Sequence, residues 1–159
     1  MTSLRQRIVE TLPSLRRYAC ALSGDRRTGD EIIRVALMVL AEDPRHVRAD
    51  ADLRFQLYRL FHRVFDVVIA PAALPQEDAT EMDPYHEVKL GLMSLPLMSR
   101  KLLLLVTMEG FSLERAAELL DLPVREARLR LVRARMQFSC TSSPAVARGM
   151  ERTLERLAA

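Results

Sequence analysis

The chain has 159 residues, enough for one domain or two small ones. About half of them are apolar (49%), which permits a buried core and argues against disorder. Five glycines, no tryptophan and few β-branched runs favour helix over sheet. A formal charge of +3 says little about partners, so the distribution of charge carries the information.

From the N-terminus, Leu4, Ile8, Leu12, Leu15, Ala19 and Leu22 recur at helical spacing. Pro13 removes a backbone donor, so the segment is either one kinked helix or a short helix followed by a longer one. Gly24 supplies a left-handed cap. A second helix is expected from Asp25 or Thr28 to Ala41, burying Ile32, Ile33, Ala36, Leu37 and Leu40, and Glu42-Asp43-Pro44 stops it. Asp50 or Asp52 caps a third, in which Leu53, Leu57, Leu60, Phe61, Val64 and Val68 repeat at three and four. These helices make one unit over residues 1–70. Residues 71–84, PAALPQEDATEMDP, show no period and hold three prolines and four acids, the composition of an extended acidic linker.

A second unit is expected over 85–139. Residues 85–93 form a short helix, and Leu97 to Glu109 form another whose LLLLV run must be buried. Gly110 ends it, with Phe111 packing back. Ser112 caps a helix reaching Leu120, with Glu114 in its first turn. Asp121 takes a left-handed turn position, and Pro123 pre-sets the next helix. Helix, short turn and helix make a helix-turn-helix pattern. The last helix turns Val124, Ala127, Leu131, Ala134 and Phe138 inward. CTSSP breaks it, and the tail, 140–159, can form one more amphipathic helix through Val146, Met150, Leu154 and Leu157. The fold class is therefore all-α, as two small helical units joined by an acidic, proline-containing linker.

Several chemistries find no footing. The sequence has no glycine-rich phosphate loop, no GxSxG and no HExxH, so an enzyme reading and a cofactor have no residue to rest on. His46, His62 and His86 lack ligand spacing to one another or to Cys20 and Cys140, which argues against a metal and against a disulfide framework. Cys20 reads as a small buried hydrophobe. No apolar run reaches the roughly 18 residues of a membrane helix, and the N-terminus lacks a signal-peptide apolar region, so a cytoplasmic protein is expected.

The stretch VREARLRLVRAR, residues 124–135, carries five arginines, as a DNA-reading helix would. Two features oppose readout. Glu126 in its first turn repels phosphate, and Leu129, Val132 and Met136 form a second apolar strip to one side of the inward stripe. Leaving such side chains in water forfeits roughly 1.5–3 kcal/mol each, so a partner, the other unit of the chain or the C-terminal helix should cover them.

LPLMSRKLLLLVTMEGFSLERAAELLDLPVREARLRLVRARMQF resembles region four of extracytoplasmic-function sigma factors, through Leu95-Pro96, Arg100, the apolar run, Glu109-Gly110, Ser112, Ala116-Ala117, Leu120, Val124 and Arg133-Ala134-Arg135. LPSLRRYACALSGD and DLRFQLYRLFHRVFD resemble region two. The departures point elsewhere. The acidic polymerase-docking pattern is replaced by Asp30-Glu31-Ile32-Ile33-Arg34, a usual tryptophan by Gln56, and small polar positions of the reading helix by Arg125-Glu126 and Leu129. With LPSLRRYACALSGDRRTGD, LYRLF and EGFSLERAAELLD, the chain resembles the sigma-like output domain of PhyR-type general stress response regulators.

That resemblance implies a sigma factor mimic that sequesters a NepR-type anti-sigma factor and so frees the true sigma factor. PhyR-type proteins continue into a phosphoacceptor receiver domain, and no receiver pattern is found in this sequence, so phosphorylation control does not carry over. The partner would lay an amphipathic helix into an apolar groove. Leu57, Leu60, Phe61 and Phe65 of the first unit and Leu129, Val132 and Met136 of the second are the candidate groove residues, with Arg125, Arg128 and Arg133 as a charged rim. For Leu57, Leu60 and Phe61 the competing reading is ordinary core. The competing function is a divergent sigma factor that binds polymerase and promoter DNA.

Overall fold

The computed structural model describes residues 3–48, 50–69 and 86–141. All regular structure among these residues is helical, and the chain divides into two compact units, Met1–Gln76 and Glu77–Ala159. The sequence-based expectations for 71–84 and for the tail helix lie outside the described residues.

In the first unit, α1 (Leu4–Ser23), α2 (Arg26–Glu42) and α3 (Leu53–Ile69) pack against one another. Ser3 caps α1 by accepting from the Gln6 amide at 3.2 Å, and Gly24 closes it at φ 77°. Pro13 stands inside α1 without breaking it, so the two-helix alternative falls away. Its ring is exposed, as is Val9, whose carbonyl loses the usual donor, and water can satisfy that carbonyl there. Asp25 caps α2 through the amides of Arg27 and Thr28, and Asp52 rather than Asp50 caps α3 through the amide of Phe55.

The core of this unit is aromatic. Tyr18, Phe61 and Phe65 are fully buried, with Tyr18 and Phe61 ring centroids 5.8 Å apart and Phe61 and Phe65 5.9 Å apart. Tyr18 shares a 3.0 Å hydrogen bond with the buried ring of His62, so its hydroxyl keeps a partner away from water. Gly29 sets the α1–α2 approach, since a Cβ there would lie 2.9 Å from the backbone nitrogen of Cys20. Contrary to expectation, Cys20 on α1 is only half-buried, as are Ile33 and Leu37 on α2, whose contact face is narrower than its apolar stripe.

In the second unit, α4 (His86–Met93), α5 (Leu97–Thr107) and α6 (Leu113–Leu119) surround part of α7 (Val124–Thr141). Leu102 to Leu105 are all buried, as so apolar a run requires, while Val106, expected to be buried with them, is only half-buried. Arg100 is buried too. Its guanidinium donates to the carbonyls of Leu92, Met93 and Leu95, tying the end of α4 to α5, and burial pushes its pKa down. Gly110 turns the chain at φ 68°, and the Phe111 amide returns to the Leu105 carbonyl at 3.0 Å. Ser112 caps α6 through Arg115, and Asp121 takes φ 53° in the turn before α7.

The helix α7 buries Ala127, Leu131, Ala134 and Phe138. Three details differ from expectation. Val124 is 39% exposed rather than inward, α5 ends at Thr107 rather than Glu109, and α7 continues to Thr141, through the start of CTSSP. Helix ends are the least determined part of a local pattern, since frayed turns cost little.

Candidate functional site

The exposed face of α7 is the feature that the fold leaves unaccounted for. At ~100° per residue, Leu129, Val132 and Met136 fall on the face opposite Ala127, Leu131, Ala134 and Phe138. Their exposures are 54%, 50% and 65%, so the strip points away from its own unit's core rather than to one side of it. Leu97, at the start of α5, is a further exposed apolar residue of this unit at 37%.

The charges on α7 divide into two sets. Glu126 accepts from Arg130 one turn on, at 2.6 Å, an exposed pair worth a few tenths of a kcal/mol, about 0.3–0.5. This clasp cancels one acid and one base of the first two turns. Among the described residues, Arg125, Arg128, Arg133 and Arg135 have no acidic partner. Their positive field therefore stays available to an outside acid or phosphate.

Beside the strip, α5 and α7 bound a cleft of about 310 Å³. Pro96 and Ser99 come from the start of α5, and Leu129, Arg133 and the Glu126–Arg130 clasp from α7. Ala134 and Gln137 complete the lining, and the Gln137 amide donates to the Ser94 carbonyl at 3.3 Å. None of Pro96, Ser99, Ala134 or Gln137 was legible as a site residue. Pro96 and Ser99 reach the cleft from α5, and no local period of α7 reports a contact with another helix.

The candidate groove residues of the first unit behave differently. Leu57 and Leu60 are 4% and 6% exposed, and Phe61 and Phe65 are fully buried. They form the inner face of α3, against α1 and α2. A partner could reach them only by displacing that core, so the competing reading of Leu57, Leu60 and Phe61 as core describes their position, and Phe65 joins them. Arg125, Arg128 and Arg133 stand exposed on α7 as a rim should.

The acids Asp30 and Glu31 of α2 are paired within their own unit. Asp30 accepts from Nε and Nη2 of Arg16, at 2.5 Å each, and Glu31 pairs with Arg34. Each guanidinium holds its carboxyl below the usual carboxylate range. Ile32 is buried. Gln56, at the position of a usual tryptophan, pairs its side-chain amide with both backbone groups of Arg48, at 2.7 and 3.0 Å, and closes the loop before α3.

Residues 8–62 match the family described as the Sigma2 domain of PhyR, and residues 92–136 match the sigma-like domain of the response regulator PhyR. The chain is similar to the phyllosphere-induced regulator PhyR of Methylorubrum extorquens, 34% identical over 126 residues, which are 79% of this chain and 45% of that protein. It thus spans less than half the length of that curated relative. It is 27% identical over 151 residues to the RNA polymerase sigma factor EcfG of Rhodopseudomonas palustris, covering 86% of this chain and 83% of that one. Among solved structures, PhyRSL of Sphingomonas sp. Fr1, determined in complex with NepR, matches with a TM-score of 0.71 at 32% identity, covering 86% of this chain and 87% of that one.

Proposed function

The chain belongs to the PhyR sigma-like family, and from that premise we propose that it is a sigma factor mimic. It binds and sequesters a NepR-type anti-sigma factor and so releases the true sigma factor for stress-response transcription. The observation that carries this reading is the exposed strip Leu129, Val132 and Met136 within a ring of arginines that lack acidic partners among the described residues. An apolar strip with a basic rim suits the amphipathic, acidic face of a protein helix better than it suits base edges. In this reading α6, the turn through Asp121 and α7 are a helix-turn-helix inherited from sigma factors and turned to holding protein.

The relatives support the same partner, since the Sphingomonas domain was solved with NepR bound. The chain acts as a binding module rather than an enzyme and needs no cofactor. Among the described residues no helix is long and apolar enough to cross a membrane. Its place of action is the cytoplasm, where transcription runs. Calorimetric titration of the purified chain with NepR of Sphingomonas sp. Fr1 tests the reading. Saturable binding that Leu129→Asp weakens supports it, and no saturable binding overturns it.

A second reading is favoured by one observation, the likeness to EcfG together with the basic face of α7. Under it the chain is a divergent extracytoplasmic-function sigma factor that binds RNA polymerase and promoter DNA. Specific DNA binding that falls steeply with salt would support it. The loss of the usual polar, acidic docking pattern at Ile33-Arg34 weighs against it.

A further inference from the structure

Three regions were strong enough to weigh: the aromatic core around Tyr18 and His62, the paired acids of α2, and the cleft beside Leu129. The first is sealed inside its unit and the second is spent on its own arginines, whereas the cleft is open and carries an unused charge. We propose that the cleft between the start of α5 and α7 is the selectivity pocket for the protein partner. It receives one apolar side chain from an acidic helical segment, whose adjacent carboxylate meets Arg133. This rests on the partner reading above and adds to it the chemistry that the partner must present.

Its size fits one side chain. At about 310 Å³ the cleft sits at the small end of the range for small-molecule sites, ~300–1,000 Å³, and it is open rather than enclosed. Its walls suit an apolar group with a polar end. Pro96, Leu129 and the Cβ of Ala134 are apolar, and Ser99 brings a hydroxyl to the same wall. The two cations of the cleft are not equivalent. Arg130 is held by Glu126 at 2.6 Å, whereas Arg133 has no acidic partner among the described residues.

The Glu126–Arg130 clasp makes the pocket selective by place. A phosphate chain running along α7 would gain nothing from the clasp, whose charges cancel. A single carboxylate on a partner helix can reach Arg133 without approaching Glu126, because the two residues lie seven positions, two helical turns, apart along α7. The complementarity therefore demands a point acid beside a hydrophobe, which a protein helix offers and a nucleic acid backbone does not.

Titration of the full chain and its variants with NepR of Sphingomonas sp. Fr1 tests the inference, with circular dichroism confirming the fold of each variant. Arg133→Glu is expected to weaken binding about tenfold or more, and Arg135→Glu, which lies outside the cleft, less than about threefold. Replacing the partner's acids one at a time by lysine should identify one whose replacement restores binding to Arg133→Glu but not to Leu129→Asp. Equal losses for Arg133→Glu and Arg135→Glu would show a diffuse field and overturn the pocket. Loss with Leu129→Asp but none with Arg133→Glu would overturn it too, leaving the strip as the binding surface. If the unaltered chain does not bind, the partner reading itself fails. Arg133→Lys should recover part of the affinity, because it restores the charge but not the planar fork.

Discussion

Two helices of this chain carry apolar residues at spacings of three and four, and the fold treats them in opposite ways. On α3, Leu57, Leu60, Phe61 and Phe65 turn inward and are buried against α1 and α2. On α7, Leu129, Val132 and Met136 repeat with the same rhythm and point outward. The difference is that α7 has a second stripe. Ala127, Leu131, Ala134 and Phe138 already meet the rest of the unit, and a helix can offer one contact face to a small bundle. Periodicity reports that a surface seeks burial. It does not report whether the burial is inside the unit or against another molecule.

The comparison breaks most sharply at Phe61. Phe61→Ala should destabilise the first unit by about 3–5 kcal/mol in chemical denaturation, because it empties a fully buried aromatic site. If instead the variant kept its stability and lost anti-sigma binding, the inner face of α3 would be the partner surface. Gly29→Ala should cost the same unit about 1–3 kcal/mol, because the new Cβ meets backbone that cannot turn aside. A neutral outcome in thermal melts would mean that α1 and α2 separate easily.

On the other helix the sign of the result reverses. Leu129→Asp should leave the denaturation midpoint within about 0.5 kcal/mol of the original, since the side chain is already in water. Binding of NepR should fall at least tenfold, about 1.4 kcal/mol. A large loss of stability with binding intact would place Leu129 in a structural role. The smallest effect is expected at Asp30. Its carboxyl is held low by Arg16, so its contribution is present above its unfolded pKa and fades as the pH falls through the lower folded value. Asp30→Asn should flatten that acid limb of the stability profile and change little at neutral pH. An unchanged acid limb would show that the exposed ion pair contributes nothing measurable.

Much of the fold was legible residue by residue. Gly24, Gly110 and Asp121 marked left-handed positions because few residues other than glycine, asparagine and aspartate take them cheaply. Ser112 announced its helix because a capping hydroxyl is a local device. The site was legible in half. The rim arginines and the strip of α7 were visible as residues out of place on a reading helix. The cleft was not, because Ser99 and Gln137 carry no signal until α5 and α7 lie side by side. The spacing of four that lets Arg130 pair with Glu126, and of seven that leaves Arg133 out of its reach, is by contrast a local signal.

By itself the sequence determined that the chain is helical, where most helices start and stop, and that one helix carries more apolar surface than a single face can bury. Those follow from backbone sterics, capping groups and a 3.6-residue period, all of which act within a few residues. Only the tertiary structure decided which apolar faces are core, which acids are already satisfied, and where α5 and α7 leave a cleft. Burial and pairing depend on residues brought together from distant parts of the chain, and the packing of whole helices decides between two stripes with the same rhythm.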